Sequence, residues 1–174
     1  MSGTASQEIV VGVSGSRASV AALRWAADEA GRRHVRLNAI CAWDPSPRPA
    51  PYAGVGEGHP KEDTRVALDS GLAAAVREAF GPVRPGCLHT ELAEGVPERV
   101  LIARSGSADL LVLGTARPQD TVGLSVGPVL RTCLIRARCP VVVVSAGAGP
   151  DAGKQPDDAR PARVSALTGQ QLTG

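Results

Sequence analysis

The sequence predicts an α/β fold, a doubly wound five-stranded parallel sheet with helices on both faces. Three observations carry this expectation. Five short apolar runs alternate with four helical patterns in the order βαβαβαβαβ. The runs are continuously apolar rather than alternating, as in strands buried on both faces. Turn-forming residues close two of them, at Ser14-Gly15-Ser16 and at Gly114. Strands of this kind joined by right-handed crossovers wind into a layered α/β domain.

Ile9-Val10-Val11-Gly12-Val13 is β-branched and reads as the first strand. Ser16 can cap the following helix, Ala18 to Ala30, where Leu23, Ala26, Ala27 and Ala30 recur at helical spacing and Gly31 provides a stop. Val35 to Trp43 is the second strand. Asp44 to Pro60 holds Pro45, Pro47, Pro49 and Pro51, then Gly54, Gly56 and Gly58, and reads as a long surface loop. Glu62 to Phe80 places Leu68, Leu72, Val76 and Phe80 down one side of a helix closed by Gly81-Pro82. Cys87 to Ala93 is the third strand, and Pro97 suits the first turn of a helix reaching Arg104. Asp109 leads into the strand Leu110-Leu111-Val112-Leu113, expected to stop at Gly114. Pro128 to Arg136 is the last helix and Val141 to Val144 the last strand. Three regions follow: residues 1–8 as a disordered start, 9–145 as the domain, and 146–174 as a disordered tail with three acidic and three basic residues.

Composition narrows the function. Aromatics make up 2% of the 174 residues (Trp25, Trp43, Tyr52 and Phe80). The core is therefore aliphatic, and stacking platforms for single-stranded nucleic acid are not available. A formal net charge of +2 gives no strong field toward DNA or anionic membranes. No apolar run approaches the roughly 20 residues of a membrane span, and the first eight residues lack the order of a signal peptide. A cytoplasmic protein without nucleic-acid or membrane partners is expected. Cys41, Cys87, Cys133 and Cys139 form no Cys-x-x-Cys pair and read as buried reduced thiols. His34, His59 and His89 lie far apart, so no metal site is expected.

In an open parallel sheet, ligands bind beyond the carboxyl ends of the strands where the strand order reverses. The segments to inspect are Ser14-Gly15-Ser16 and Gly114 onward, because Gly127 immediately precedes a helix whose first amides could hold an anion. Gly123-Leu124-Ser125-Val126-Gly127 matches a nucleophile-elbow pattern. No strand pattern precedes it and no His follows Ser125, so catalysis is not expected there.

Several stretches resemble the universal stress protein family. They are Ile9-Val10-Val11-Gly12-Val13-x-Gly15-Ser16 with the Ala-Leu-Arg-Trp-Ala-Ala helix at 22–27, and Glu94-Gly95-Val96-Pro97. Ala108-Asp109 through Gly114 and Cys139-Pro140-Val141-Val142-Val143-Val144 complete the set. The resemblance covers about residues 9–145. It implies strand order 3-2-1-4-5, a homodimer and, in one subclass, ATP or AMP binding. That subclass carries Gly, two residues, Gly, nine residues, then Gly followed by Ser or Thr. Here the frame reads Gly114, Thr115, Ala116, Arg117, nine residues, Gly127, Pro128. Arg117 stands at the middle glycine and Pro128 at the hydroxyl position. Ser14 stands where an Asp is usual, and Leu130 at a second hydroxyl position. Pro128 suits the first helical position but removes one amide donor, whereas Val129 and Leu130 keep theirs.

The resemblance therefore implies an adenine-nucleotide cleft of degraded motif, formed by Gly12, Val13, Ser14, Ala42, Leu113, Gly114, Arg117, Gly127, Pro128 and Val129. ATP or AMP is the implied ligand, with no metal beyond nucleotide-bound Mg²⁺. The alternatives are a nucleotide-independent dimeric interaction protein or a binder of a different small ligand. Slow nucleotide hydrolysis is disfavoured, because no general base or metal cluster is evident. The four valines Val141–Val144 would lie at a sheet edge and could join two copies.

Overall fold

The computed structural model describes residues 7–45, 61–116 and 126–146. Nine elements follow one another: β1 (Glu8–Gly12), α1 (Arg17–Arg33), β2 (Arg36–Trp43), α2 (Lys61–Phe80), β3 (Leu88–Glu94), α3 (Pro97–Ser105), β4 (Leu110–Ala116), α4 (Pro128–Arg136) and β5 (Val141–Ala146). The strands form one sheet in the order β3-β2-β1-β4-β5, and every pair is parallel. The parallel pairing is as the apolar runs predict, and the strand order is the one the family resemblance implies.

Period-two geometry divides the core. Ile9 and Val11 pack with Leu23 and Ala26 of α1 and Leu72 and Val76 of α2 on one face. Val10 faces the other way, into Leu101 of α3 and Leu130 and Cys133 of α4. β1 and β4 are thus apolar at consecutive positions because both their faces are covered. Leu111, between β1 and β5, is fully buried.

Capping explains the helix limits. The Ser16 hydroxyl accepts the Ser19 amide at 3.2 Å and opens α1. Arg24 of α1 donates to the carbonyls of Ala79 (3.1 Å) and Glu78 (2.5 Å), tying the end of α2 to α1. The last turn of α1 corrects the expected stop at Gly31. The helix runs to Arg33 and ends at His34, which takes the left-handed conformation (φ 56°). Arg32 and Arg33 both pair with Glu29, holding its carboxyl below the usual range and extending the helix past the glycine.

The strand limits also differ from expectation: β1, β2 and β3 shift by one residue at one or both ends, and β4 and β5 run further. Glu8 opens β1, and its amide reaches Asp109 Oδ2 at 3.1 Å. Val13 lies just beyond β1, yet its amide still donates to Ile40 O at 2.8 Å. β4 continues through Gly114 to Ala116 because β5 pairs with it as far as Ala116–Ala146. Most of the regions read as 1–8, 44–60 and 146–174, together with Arg117 and Ser125, lies outside the described residues. Cys41, Cys87, Cys133 and Cys139 are all free thiols, the first and third buried.

One polar chain crosses the α3 face. Asn38 is buried (4% exposed), its Nδ2 donates to Glu91 Oε2 at 3.4 Å, and Glu91 pairs with Arg104. Asn38 Oδ1 is buried with no hydrogen-bond partner among the described residues.

Candidate functional site

The carboxyl ends of β1 and β4 lie side by side at the point where strand order reverses. Beyond Gly12 the chain turns through Ser14-Gly15-Ser16, where Gly15 takes φ 77°, a conformation that favours glycine. Ser14 is exposed, with its hydroxyl 3.0 Å from that of Ser16. β4 runs hard against the first turn of α1. A β-carbon at Gly114 would lie 2.3 Å from Ala18 O and 2.7 Å from Ser19 N, so only glycine permits this crossing.

α4 starts above the same end of the sheet. Gly127 is its N-cap, without a side-chain cap, and Pro128 takes the first turn. The amides of Val129 and Leu130 belong to that turn and have no acceptor within the helix. Both residues line the cleft, at the positive end of the helix dipole. Gly127 has ordinary extended backbone (φ −62°, ψ 162°), and a β-carbon there would meet nothing within 4 Å. Neither conformation nor packing among the described residues requires glycine at this position.

These pieces enclose a cleft of about 770 Å³, within the size range of small-molecule sites, roughly 300–1,000 Å³. The structure brings Gly12, Val13, Ser14, Ala42, Leu113, Gly114, Gly127, Pro128 and Val129 together on its wall. Arg117 is outside the described residues. Thr115 and Leu130, which stand within the motif frame, also line it, as do Ser19, Ile40, Cys41, Leu68, Pro97 and Leu101, which sequence reasoning did not nominate. Ile40 and Cys41 could have been found from Ala42 by strand adjacency. Leu68 and Leu101 arrive on α2 and α3, and nothing local in their sequence marks them.

The chemistry of the wall is apolar with hydroxyls at one side. No charged side chain lines it among the described residues. Burial pushes the Cys41 thiol above its ordinary pKa, so the thiol stays protonated and weakly nucleophilic. The Ser19 hydroxyl donates to Ser16 O at 2.8 Å, which spends its proton within the turn. The wall offers mainly apolar surface and, at the start of α4, a helix N-terminus, which favours anions. Among the described residues no helix is long and apolar enough to cross a membrane, and no group of His, Cys, Asp and Glu could hold a metal ion.

Comparison with known proteins gives a consistent picture. The model of the universal stress protein family matches residues 6–145. A universal stress protein of Mycobacterium tuberculosis is 33% identical over 160 residues, covering 92% of this chain and 53% of that one. The chain thus spans about half the length of the curated relatives it matches. Among solved structures, the universal stress protein UspA from Lactobacillus plantarum superposes with TM-score 0.58 at 25% identity, over 80% of this chain and 97% of that one. The Archaeoglobus fulgidus universal stress protein in complex with dAMP superposes with TM-score 0.56 at 21% identity, over 79% and 97%.

Proposed function

Because this chain belongs to the universal stress protein family, as its match over residues 6–145 shows, we propose that its cleft binds an adenine nucleotide. In this reading the protein works in the cytoplasm as a stress-response binding module and turns nothing over. One observation carries it. Residues from β1, β2, β4 and the start of α4 converge on a single cleft at the strand-order reversal, where parallel sheets of this class hold ligands. A solved structure of the same fold is a dAMP complex.

The residues divide the work by chemistry. Val13, Ala42 and Leu113 offer aliphatic surface to the adenine, and the Ser14 hydroxyl a hydrogen bond. The amides of Val129 and Leu130 and the dipole of α4 face the phosphate. The open space at Gly127 lets a phosphate approach the backbone. Pro128 withholds one donor, so affinity falls below what a serine there would allow. ATP or AMP fits this wall, and any Mg²⁺ arrives on the nucleotide.

The test is direct. Denaturing the purified protein should release adenine nucleotide, or calorimetric titration with AMP and ATP should give a Kd below about 1 mM. Pro128→Ser, at an exposed position, should tighten binding by about tenfold, one hydrogen bond to a charged group. If no nucleotide is released and neither AMP nor ATP binds below that limit, the protein acts without nucleotide, as a dimeric interaction protein.

The same reading includes a homodimer through β5. Leu111 N–H donates to Pro140 O at 3.0 Å, which sets the ladder phase. Val141 and Val143 then turn their backbone groups away from β4, and all residues of β5 are only half-buried. Leu134 and Ile135 of α4 are also exposed, by 49% and 73%. Val143→Pro removes an outward N–H and no bond to β4. It should convert a dimer to a monomer in sedimentation velocity while the melting temperature of the domain holds. A wild-type chain that sediments as a monomer would remove this part of the reading.

A further inference from the structure

The opposite edge of the sheet carries a second feature, independent of the nucleotide cleft. Leu37 N–H donates to Cys87 O at 2.9 Å and Gly95 N–H to Trp43 O at 2.7 Å. In a parallel ladder both backbone groups of a residue point the same way and alternate along the strand. Residues 87, 89, 91, 93 and 95 therefore face β2, and Thr90 and Leu92 present their N–H and C=O groups outward. Beside this edge lies a groove of about 480 Å³ between α2 and β3. Leu72 and Val76 form its floor, and Arg77, Arg84, Thr90 and Asp69 its polar rim. The Arg84 guanidinium donates to Thr90 Oγ1 at 3.4 Å. Neither it nor Arg77 is in an ion pair among the described residues. Two cations and one carboxylate thus line a groove beside a strand that is at the sheet edge among the described residues.

We infer that this edge receives an extended acidic segment of another protein as a sixth strand. The segment's main chain pairs with Thr90 and Leu92, and its carboxylate side chains meet Arg77 and Arg84. Main-chain pairing supplies affinity in such strand addition and the flanking groove supplies selectivity; guanidinium–carboxylate pairs are strong and directional. The charge also argues against a second copy as occupant. Antiparallel pairing of β3 with itself brings the two arginine-rimmed grooves together, and like charges across an interface oppose association.

The test uses the full chain and blocked, fluorescein-labelled peptides of about eight residues, alternating valine with glutamate or valine with lysine, read by fluorescence anisotropy. The glutamate peptide should bind about tenfold or more tighter than the lysine peptide, and less tightly as salt rises. Arg84→Glu, at an exposed side chain, should weaken it about tenfold. Thr90→Pro should do the same, since it removes an outward N–H and leaves the β2 ladder intact. If Thr90→Pro does not fold, Arg77→Glu and Arg84→Glu decide the matter. Equal binding of the two peptides, or binding unchanged by Arg84→Glu, overturns the inference. So does a change in the native oligomeric state on Thr90→Pro, which would assign the edge to a second copy. Binding that emerges only after residues 147–174 are removed would assign it to the chain's own end and overturn the inference equally.

Discussion

Gly114→Ala is expected to destabilise the domain by about 2–3 kcal/mol, the upper part of the range for overpacking a tight contact, and to lower its melting temperature by about 5–10 °C. The added β-carbon would sit 2.3 Å from Ala18 O and 2.7 Å from Ser19 N. Both are backbone atoms of the first turn of α1, so no side-chain rotation relieves the clash, and β4 or the helix must move. Ala18 and Ser19 are buried, which leaves that turn little room to yield. Gly127→Ala provides the contrast. Its backbone is ordinary and the space is open, so the gain in unfolded-state entropy roughly offsets the poorer N-cap. A net change within about 0.5 kcal/mol is expected. Denaturant unfolding of both variants checks the pair, and a Gly114→Ala protein as stable as its parent would refute the close-crossing account. Under the nucleotide reading, Gly127→Ala alone should weaken AMP binding without loss of stability.

Asn38→Leu is expected to stabilise the domain by about 1–2 kcal/mol, a rise of about 3–6 °C in melting temperature. Asn38 is buried, and its Oδ1 has no partner among the described residues. The one side-chain hydrogen bond it makes among the described residues, to Glu91 at 3.4 Å, is long. Leucine removes the uncompensated oxygen and adds apolar contact with the α3 face, and Glu91 keeps Arg104. A melting temperature lowered by a similar amount would show instead that the amide is an essential member of the Glu91–Arg104 chain. The variant lies away from the cleft wall, so it should leave AMP binding unchanged and separate stability from the proposed function.

Much of the site was legible in the sequence because the fold was. Once the runs at 9–13, 110–113 and 141–144 are read as parallel strands, the turns after Gly12 and Gly114 must share one end of the sheet. The nominated positions other than Arg117, which lies outside the described residues, then line one cleft. What failed to show were Leu68 and Leu101. Each is an ordinary apolar position of its helix, and whether it faces core or cleft depends on where the helix crosses the sheet. Gly31 misled for a related reason. A glycine is a common helix stop, but here the Glu29 pairs with Arg32 and Arg33 and the left-handed His34 carry the end one turn further.

By itself the sequence determined the order of strands and helices, though not their exact limits, and hence the doubly wound sheet. Those choices rest on local period, apolar runs and caps, all set by near neighbours in the chain. Only the tertiary structure decided why two glycines of one spacing pattern differ: Gly114 is held against Ala18, and Gly127 faces open space. It also decided which backbone groups of β3 point outward and which cysteine lines the cleft. Those are properties of atoms brought together across long separations in the chain. The packing of helices on the sheet sets such distances, and no local pattern records them.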